Sequence, residues 1–418
     1  MNVVSRQSKA DCVNTEILEV EANPQVMERI AEDFKRLAIN GVHNVDGKYC
    51  VTGYEYKEFY DWDLYFECLA LSYCGVNQYA KNGVELFLDK QRIDGFVPRT
   101  QELVWERPGQ MFKPFLCQTA ALYVTQTHDG EWLRGKRFLQ LENYLNYWFS
   151  EEYDANKNGL PAWNSADHTG MDNVDERAGA IDSYVCEGVD LAVYIVREYQ
   201  AMQYLAEQLD MTEKANEYRL LAENLSQLIQ STFWCDQDKF FYDINVRTGE
   251  FIRVKTVAGF APLWIGAATN DQAKCLIENH LLNPDEFWLD YPVAAMSKKE
   301  PGFRQERYEY ETCCNWKGST WMPTNYYVLH GLINYGYQDA AKELAQKTQK
   351  MVLKNQHTRE YYNSETGDGL GLDPFWGWSI LGGFFEIERV SGLSPAHIGQ
   401  KEKLRIVGHE YYSTLFKT

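Results

Sequence analysis

TEKANEYRLLAENLSQLIQST, residues 212–232, sets Ala215, Tyr218, Leu221, Leu225, Leu228 and Ile229 on one stripe and charged residues opposite. That spacing predicts an amphipathic helix with Thr212 as its cap. GFAPLWIGA, residues 259–267, is apolar on every side, which predicts a helix buried all round. The same period recurs over 25–38, 62–74, 77–91, 113–126, 131–149, 185–209, 271–280, 319–334, 337–353 and 376–387. Wholly apolar helices alternating with half-wet ones predict two layers, as in a closed ring of six helical hairpins. No repeat of 30 to 50 residues is visible, which disfavours a solenoid.

The 418 residues hold only 12 Pro and 29 Gly, with no linker-like stretch. One large domain over 1–418 is expected, with a short irregular lead (1–24) and a tail (about 390–418) whose end, 401–418, reads as strand-rich. The 45% hydrophobic content excludes disorder. Lys and Arg number 41 against 60 Asp and Glu, a net charge of -19. A phosphate backbone or anionic lipid surface is repelled by that balance, so neither nucleic acid nor membrane is an expected partner. The 28 Tyr, 20 Phe and 12 Trp suit both a core and the C–H faces of a sugar. The first residues lack an apolar signal core, and no stretch is long enough to span a bilayer, so a cytoplasmic protein is expected. Ten Cys at irregular spacings read as buried free thiols; for adjacent Cys313 and Cys314 a packing role is the simplest account. The oligomeric state is not legible.

Long intervals separate the helices at 39–61, 92–112, 150–184, 235–256, 282–318 and 354–375. Long ordered loops in a compact domain are usually functional. Two of them, 154–173 and 358–369, carry carboxylates about two hundred residues apart. Two carboxylates meeting across a cleft, one protonated and one charged, are the minimum apparatus of a glycosidase. With sixty acidic residues in the chain, composition alone does not single out the pair.

WDLYF (62–66), DGFVPR (94–99), DANKNGLPAWNSADHTGMDN (154–173), NWKGSTWMPTNYYVLHGLINYG (315–336) and EYYNSETGDGLGLDPFWGWS (360–379) occur in an order that resembles glycoside hydrolase family 63. The resemblance is to its short bacterial branch, which includes mannosylglycerate and glucosylglycerate hydrolases. It implies an all-α (α/α)6 barrel and an exo-acting α-glycosidase that inverts the anomeric centre, acting on a small α-glucoside or α-mannoside with no required cofactor. By position, Asp172 matches the family's general acid and Glu360 its general base. Asp172 is then expected to be held protonated by burial or by a neighbour such as Asp167 or Asp175, while Glu360 stays ionised. Inversion requires about 6.5 to 9.5 Å between the two carboxyls.

Asp63, beside Trp62, matches a ligand for sugar hydroxyls, against the simpler role of helix cap. Trp316, Lys317 and Gly318 match a family pattern that usually reads Trp-Arg-Gly; Lys removes a bidentate fork. Arg99, Gln118, Trp376 and Trp378 are further expected liners, although core roles are equally available to the two Trp. Val174, Asp175 and Glu176 depart from the usual Ser-Pro-Arg, and Trp376 replaces a usual Phe. That acidic segment disfavours an anionic leaving group unless Arg177 or Arg99 offsets it.

Asp154, Asn156 and Asn158 resemble half of an EF-hand loop, in which calcium could sit, but position twelve is Ser165 and a metal-free Asx-rich turn is the favoured reading. A sugar 2-epimerase on a similar barrel needs a base on each face of the reacting carbon, often His, and no His pair stands out in the loops. A non-catalytic carbohydrate-binding protein is the remaining alternative.

Overall fold

The computed structural model describes residues 3–7, 16–21, 23–54, 57–101, 110–308, 314–373 and 375–417. Its long helices are α1 (Pro24–Arg36), α2 (Asp61–Ser72), α3 (Gln78–Leu88), α4 (Leu116–Thr127), α5 (Lys136–Tyr147), α6 (Val189–Gln208) and α7 (Thr212–Thr232). The short α8 (Ala261–Trp264) and α9 (Asn270–Leu276) follow, then α10 (Met322–Asn334), α11 (Gln338–Lys354) and α12 (Phe385–Ser391). A 3-10 segment, Trp378–Gly383, leads into α12.

Helices α2, α4, α6, α8, α10 and the α12 segment pack in succession, and the last returns to α2. This closed inner ring carries an outer layer of α1, α3, α5, α7, α9 and α11, which makes an (α/α)6 barrel. The layering follows the sequence patterns. Every residue of α2 is buried, whereas α7 buries only Ala215, Tyr218, Ala222, Leu225 and Ile229. Each fully buried Leu, Ile or Phe contributes about 1.5 to 3 kcal/mol, so the inner ring carries much of the stabilisation. One local expectation fails. The cap of α7 is Met211, with no side-chain cap bond, and Thr212 is already helical.

Connections from an inner helix to the next outer one are short, such as 209–211 between α6 and α7. Connections from outer to inner are the long intervals noted above, and they all arrive at the N-terminal ends of the inner helices. One end of the barrel therefore collects every long loop. Those loops are not wholly irregular. Phe59–Tyr60 pairs with Thr100–Gln101, and Tyr361–Tyr362 with Gly369–Leu370. Ala162–Trp163, Cys186–Glu187, Asp243–Asn245 and Phe251–Ile252 form a four-stranded sheet.

The lead, expected to be irregular, supplies strands Val3–Gln7 and Glu16–Val20. Lys403–Ile406 from the strand-rich tail pairs parallel with Glu16–Val20. The described cysteines are free thiols, mostly buried; Cys12 and Cys313 lie outside the described residues. Among the described residues no helix is long and apolar enough to cross a membrane.

Candidate active site

Helix α2 opens with DWD, and its two acids have different work. Asp61 accepts from the Trp62 N–H (2.7 Å) and from the Lys113 N–H (3.1 Å), and pairs with the Lys113 ammonium at 3.1 Å, both side chains fully buried. Neither acid caps the helix, whose N-cap position is Tyr60; Asp61, its first residue, makes the contact to the helix start that was weighed for Asp63. Asp63 is buried, and its Oδ1 has no hydrogen-bond partner among the described residues. Burial and the neighbouring charge of Asp61 push its carboxyl up to about 8, against Lys113, the Tyr54 phenol and Arg99. An orphaned buried carboxyl oxygen costs on the order of 1 to 3 kcal/mol. A sugar hydroxyl would satisfy it.

Arg99 donates from Nη1 to Asp167 (2.8 Å) and to Gln110 (2.9 Å), and its Nε lies 3.8 Å from Asp61. Burial opposes its charge, but Asp167, Asp61 and Asp172 together hold the guanidinium charged. Burial, with the charge of Arg99, pushes the Lys113 ammonium down against the pull of Asp61 and Asp172. Asp172 is therefore within electrostatic range of both Arg99 and Lys113.

The segment bearing Asp172 is pinned on both sides. Gly170 adopts a left-handed φ of +88, and a Cβ there would come within 2.7 Å of the Trp62 ring, so only glycine lets the loop lie on the indole. Asn173 accepts from the Trp316 N–H at 2.9 Å and donates to Asn315 at 3.2 Å. Asp172 itself is partly exposed. The carboxylate neighbours expected to keep it protonated are engaged elsewhere or turned outward: Asp167 binds Arg99, and Asp175 is exposed. Both signs of charge act on Asp172, because Glu360 is also within electrostatic range.

Glu360 is buried beside the strand Tyr361–Tyr362. Its Oε2 accepts from the Leu372 N–H at 3.0 Å and its Oε1 from the Cys314 thiol at 3.5 Å. Gly371 (φ +70) makes the first bond possible, since a Cβ there would stand 2.4 Å from Oε2. Burial pushes Glu360 up to about 7, opposed by Leu372, Cys314 and Arg307 and assisted by the charge of Asp172. The expectation of a carboxylate comfortably ionised at neutral pH is thus modified by the depth of the site.

Trp62, Trp316 and Trp378 form an aromatic group around these acids. Trp316 stacks on Trp321 with centroids 3.9 Å apart and lies 5.9 Å from Trp62. Trp378 is 6.3 Å from Trp62 and from Tyr54, and its indole N–H donates to the Glu360 carbonyl at 2.9 Å. Trp376 turns the other way, with its Nε1 buried against Gly41, and belongs to the core.

Lys317 donates to Glu176 at 2.6 Å. Two departures from the family pattern therefore meet as one ion pair. Gly318 is needed for close approach, because a Cβ would meet the Arg304 carbonyl at 2.6 Å. Gln118 is not a liner. Its amide nitrogen donates to Pro114 and its oxygen accepts from Arg197, both at 2.7 Å, so both polar atoms serve the wall between α4 and α6. Arg177, one of the cations expected to offset the acidic segment, is fully buried against Asp190 and Asp243.

The DANKNG loop is a self-satisfied turn. Asp154 accepts from the Asn158 and Gly159 N–H groups, and Asn158 from Leu160. Asn156 and Asn158 aim their amide nitrogens at Glu187 (2.7 and 2.9 Å). Oxygens already bonded to backbone N–H groups, with donors facing the nearest acid, do not fit a calcium shell.

Sequence reasoning missed Tyr54, Lys113, Cys314 and Gly371. Only Cys314 had been singled out, as a packing residue, and its thiol instead touches Glu360.

A model of the mannosylglycerate hydrolase MGH1-like glycoside hydrolase domain matches residues 56–379. Mannosylglycerate hydrolase MGH1 of Selaginella moellendorffii is 32% identical over 127 residues, 30% of this chain and 23% of that protein. Mannosylglycerate hydrolase of Thermus thermophilus is 31% identical over 150 residues, 35% of this chain and 32% of that protein. The chain thus aligns with 23% to 32% of the length of these curated relatives. A GH63 mannosylglycerate hydrolase of Thermus thermophilus, solved in complex with Tris and D-glycerate, shares the fold with a TM-score of 0.67 at 20% identity, covering 87% of this chain and 100% of that one. With that domain model running from the strand before α2 to the start of the last inner-ring segment, the chain belongs to the MGH1-like glycoside hydrolase domain family.

Proposed function

We propose that the protein hydrolyses a small α-glucoside or α-mannoside with inversion, Asp172 protonating the leaving oxygen and Glu360 activating a water on the opposite face of the sugar. The observation that carries this reading is the setting of Glu360. It is a buried carboxylate at the loop end of the barrel, fixed by one backbone N–H and one thiol, within electrostatic range of Asp172 from a distant loop. In this reading Asp63 takes a hydroxyl of the sugar being released, supported by its buried Oδ1 having no partner among the described residues, and Trp62 and Trp378 form the apolar walls. The relatives' names motivate glycosylglycerates as test substrates. The Lys317–Glu176 pair gives the leaving-group side a charge pattern of its own, so neutral aglycones belong in the same screen.

The test is an NMR time course on α-linked glucosides and mannosides, with glucosylglycerate and mannosylglycerate included. The first-formed sugar is expected to be the β anomer. An initial α product means retention and removes the single-displacement reading, and epimerised free sugar without glycoside cleavage removes hydrolysis altogether.

A pH prediction follows from Glu360. A base works ionised, so kcat/KM should rise with pH through about 7, where burial has pushed this carboxyl. The Cys314 thiol bonds the ionised form and lowers the pKa. Cys314→Ala removes that donor, and the acidic limb should move to higher pH, whereas Cys314→Ser should leave it near the wild-type position. An unmoved limb in Cys314→Ala, measured as kcat/KM against pH, counts against Glu360 as the titrating base.

A further inference from the structure

Helix α6 begins beside the candidate site, but its second half runs away from it. Arg197 stands about 12 Å along the axis from Val189, and Tyr204 about 22 Å, at 1.5 Å per residue. There α6 and the segment 396–399 border an open groove of about 610 Å³, lined by Arg197, Gln200, Gln203, Tyr204, Glu207 and His397. It lies toward the end of the barrel remote from the loops that carry Asp172 and Glu360.

Arg197 is only 8% exposed. Its Nε donates to Gln118 Oε1 at 2.7 Å, and its Nη2 to the Tyr65 hydroxyl at 3.4 Å and the Ala396 carbonyl at 3.3 Å. The guanidinium lies 3.8 Å from the centroid of the Trp264 ring. All of these partners are neutral. Among the described residues no carboxylate stands within ion-pair distance, and Nη1 has no acceptor. A buried cation without an opposite charge is costly, and proteins normally pair one.

We infer that this groove binds a small hydroxy-carboxylate, with the carboxylate on Arg197, hydroxyls on Gln200 and the carbon chain against the Tyr204 ring. A guanidinium is weakly hydrated and planar, which suits a carboxylate. The charge balance selects a monoanion. Glu207 stands at the rim, tied down by Gln203 at 2.9 Å, and the chain carries -19 overall, so a second negative charge on the ligand would be opposed.

The test is calorimetric titration of the full chain with D-gluconate, using sorbitol as the uncharged comparator of equal length. Gluconate is expected to bind at a single site, and sorbitol at least about tenfold more weakly, the difference one charge-assisted hydrogen bond makes. Arg197→Gln should weaken gluconate by a similar factor. Gln203→Trp fills the groove from a half-exposed position without touching the Arg197 contacts, and should do the same in a folded protein. Asp63→Asn and Glu360→Gln, at the other end of the barrel, should leave gluconate binding unchanged. The inference is overturned if gluconate shows no binding at millimolar concentration, or if sorbitol binds equally well. It is also overturned if binding survives Gln203→Trp, or is lost in Asp63→Asn.

Discussion

Asp172→Asn and Glu360→Gln are each expected to lower turnover by about 10² to 10⁴-fold while leaving substrate binding nearly intact, because each removes a proton-transfer function and little volume. The two losses should differ in their pH signatures. The working form has Asp172 protonated and uncharged, so Asp172→Asn should leave the acidic limb of the residual activity near its parental position, about 7, where burial has pushed Glu360. Glu360→Gln should abolish that limb. Its amide oxygen can still accept from Leu372 and preserve the loop that Gly371 allows to close, so the variant should fold and bind as the parent does. Binding is read by calorimetry with an unhydrolysed substrate and turnover by product release. If either variant hydrolyses at the parental rate, that residue does not carry the chemistry. An Asp63→Asn variant separates positioning from proton transfer, because a lost sugar contact should weaken ground-state binding as well as turnover.

The barrel was legible because its period is carried by long segments. The alternation of all-apolar and one-faced helices, as in GFAPLWIGA and residues 212–232, encodes inner and outer layers directly, and the structure places helical segments at each expected position. Short-range features were less legible. Thr212 and Met211 compete for the same cap, and the result is set by the short turn out of α6, which a single position does not reveal. The two-residue strands at Tyr60 and Tyr361 depend on partners forty and nine residues away in sequence, with no alternating run to announce them.

At the site, motif order pointed to the loops but not to the rotamers within them. Trp376 and Trp378 are two residues apart and face opposite ways, and Gln118 turned toward Arg197, because each answers to a neighbour distant in sequence. Lys113 had no local signature, and Cys314 had only its adjacency to Cys313. A Lys inside an apolar stretch and a Cys before a Trp loop acquire meaning only when Asp61 and Glu360 are brought against them.

Arg177 makes the same point for stability, and its removal should have the largest effect on folding. It was read as a cation near the leaving group, yet it is fully buried, with Nη2 2.5 Å from Asp190 and Nε 2.6 Å from Asp243. Asp243 also accepts from the Val189 N–H that opens α6, and Asp190 from the Trp163 indole N–H. Arg177→Leu therefore strands two buried carboxylates at the junction of the four-stranded sheet, α6 and the Asp172 loop. The expected cost is about 3 to 5 kcal/mol in urea denaturation, because the desolvation already incurred is no longer offset by attraction. Adding Asp243→Asn to Arg177→Leu removes one of the stranded charges and should recover part of that loss. A double variant as unstable as the sum of the two single ones would assign the cost to lost packing instead of lost charge. The same junction carries Met171 and hence the backbone of Asp172, with Arg177 Nη1 3.6 Å from the Met171 sulfur. Any Arg177→Leu protein that folds at low temperature should then also lose turnover, through displacement of the acid and not through loss of a substrate contact.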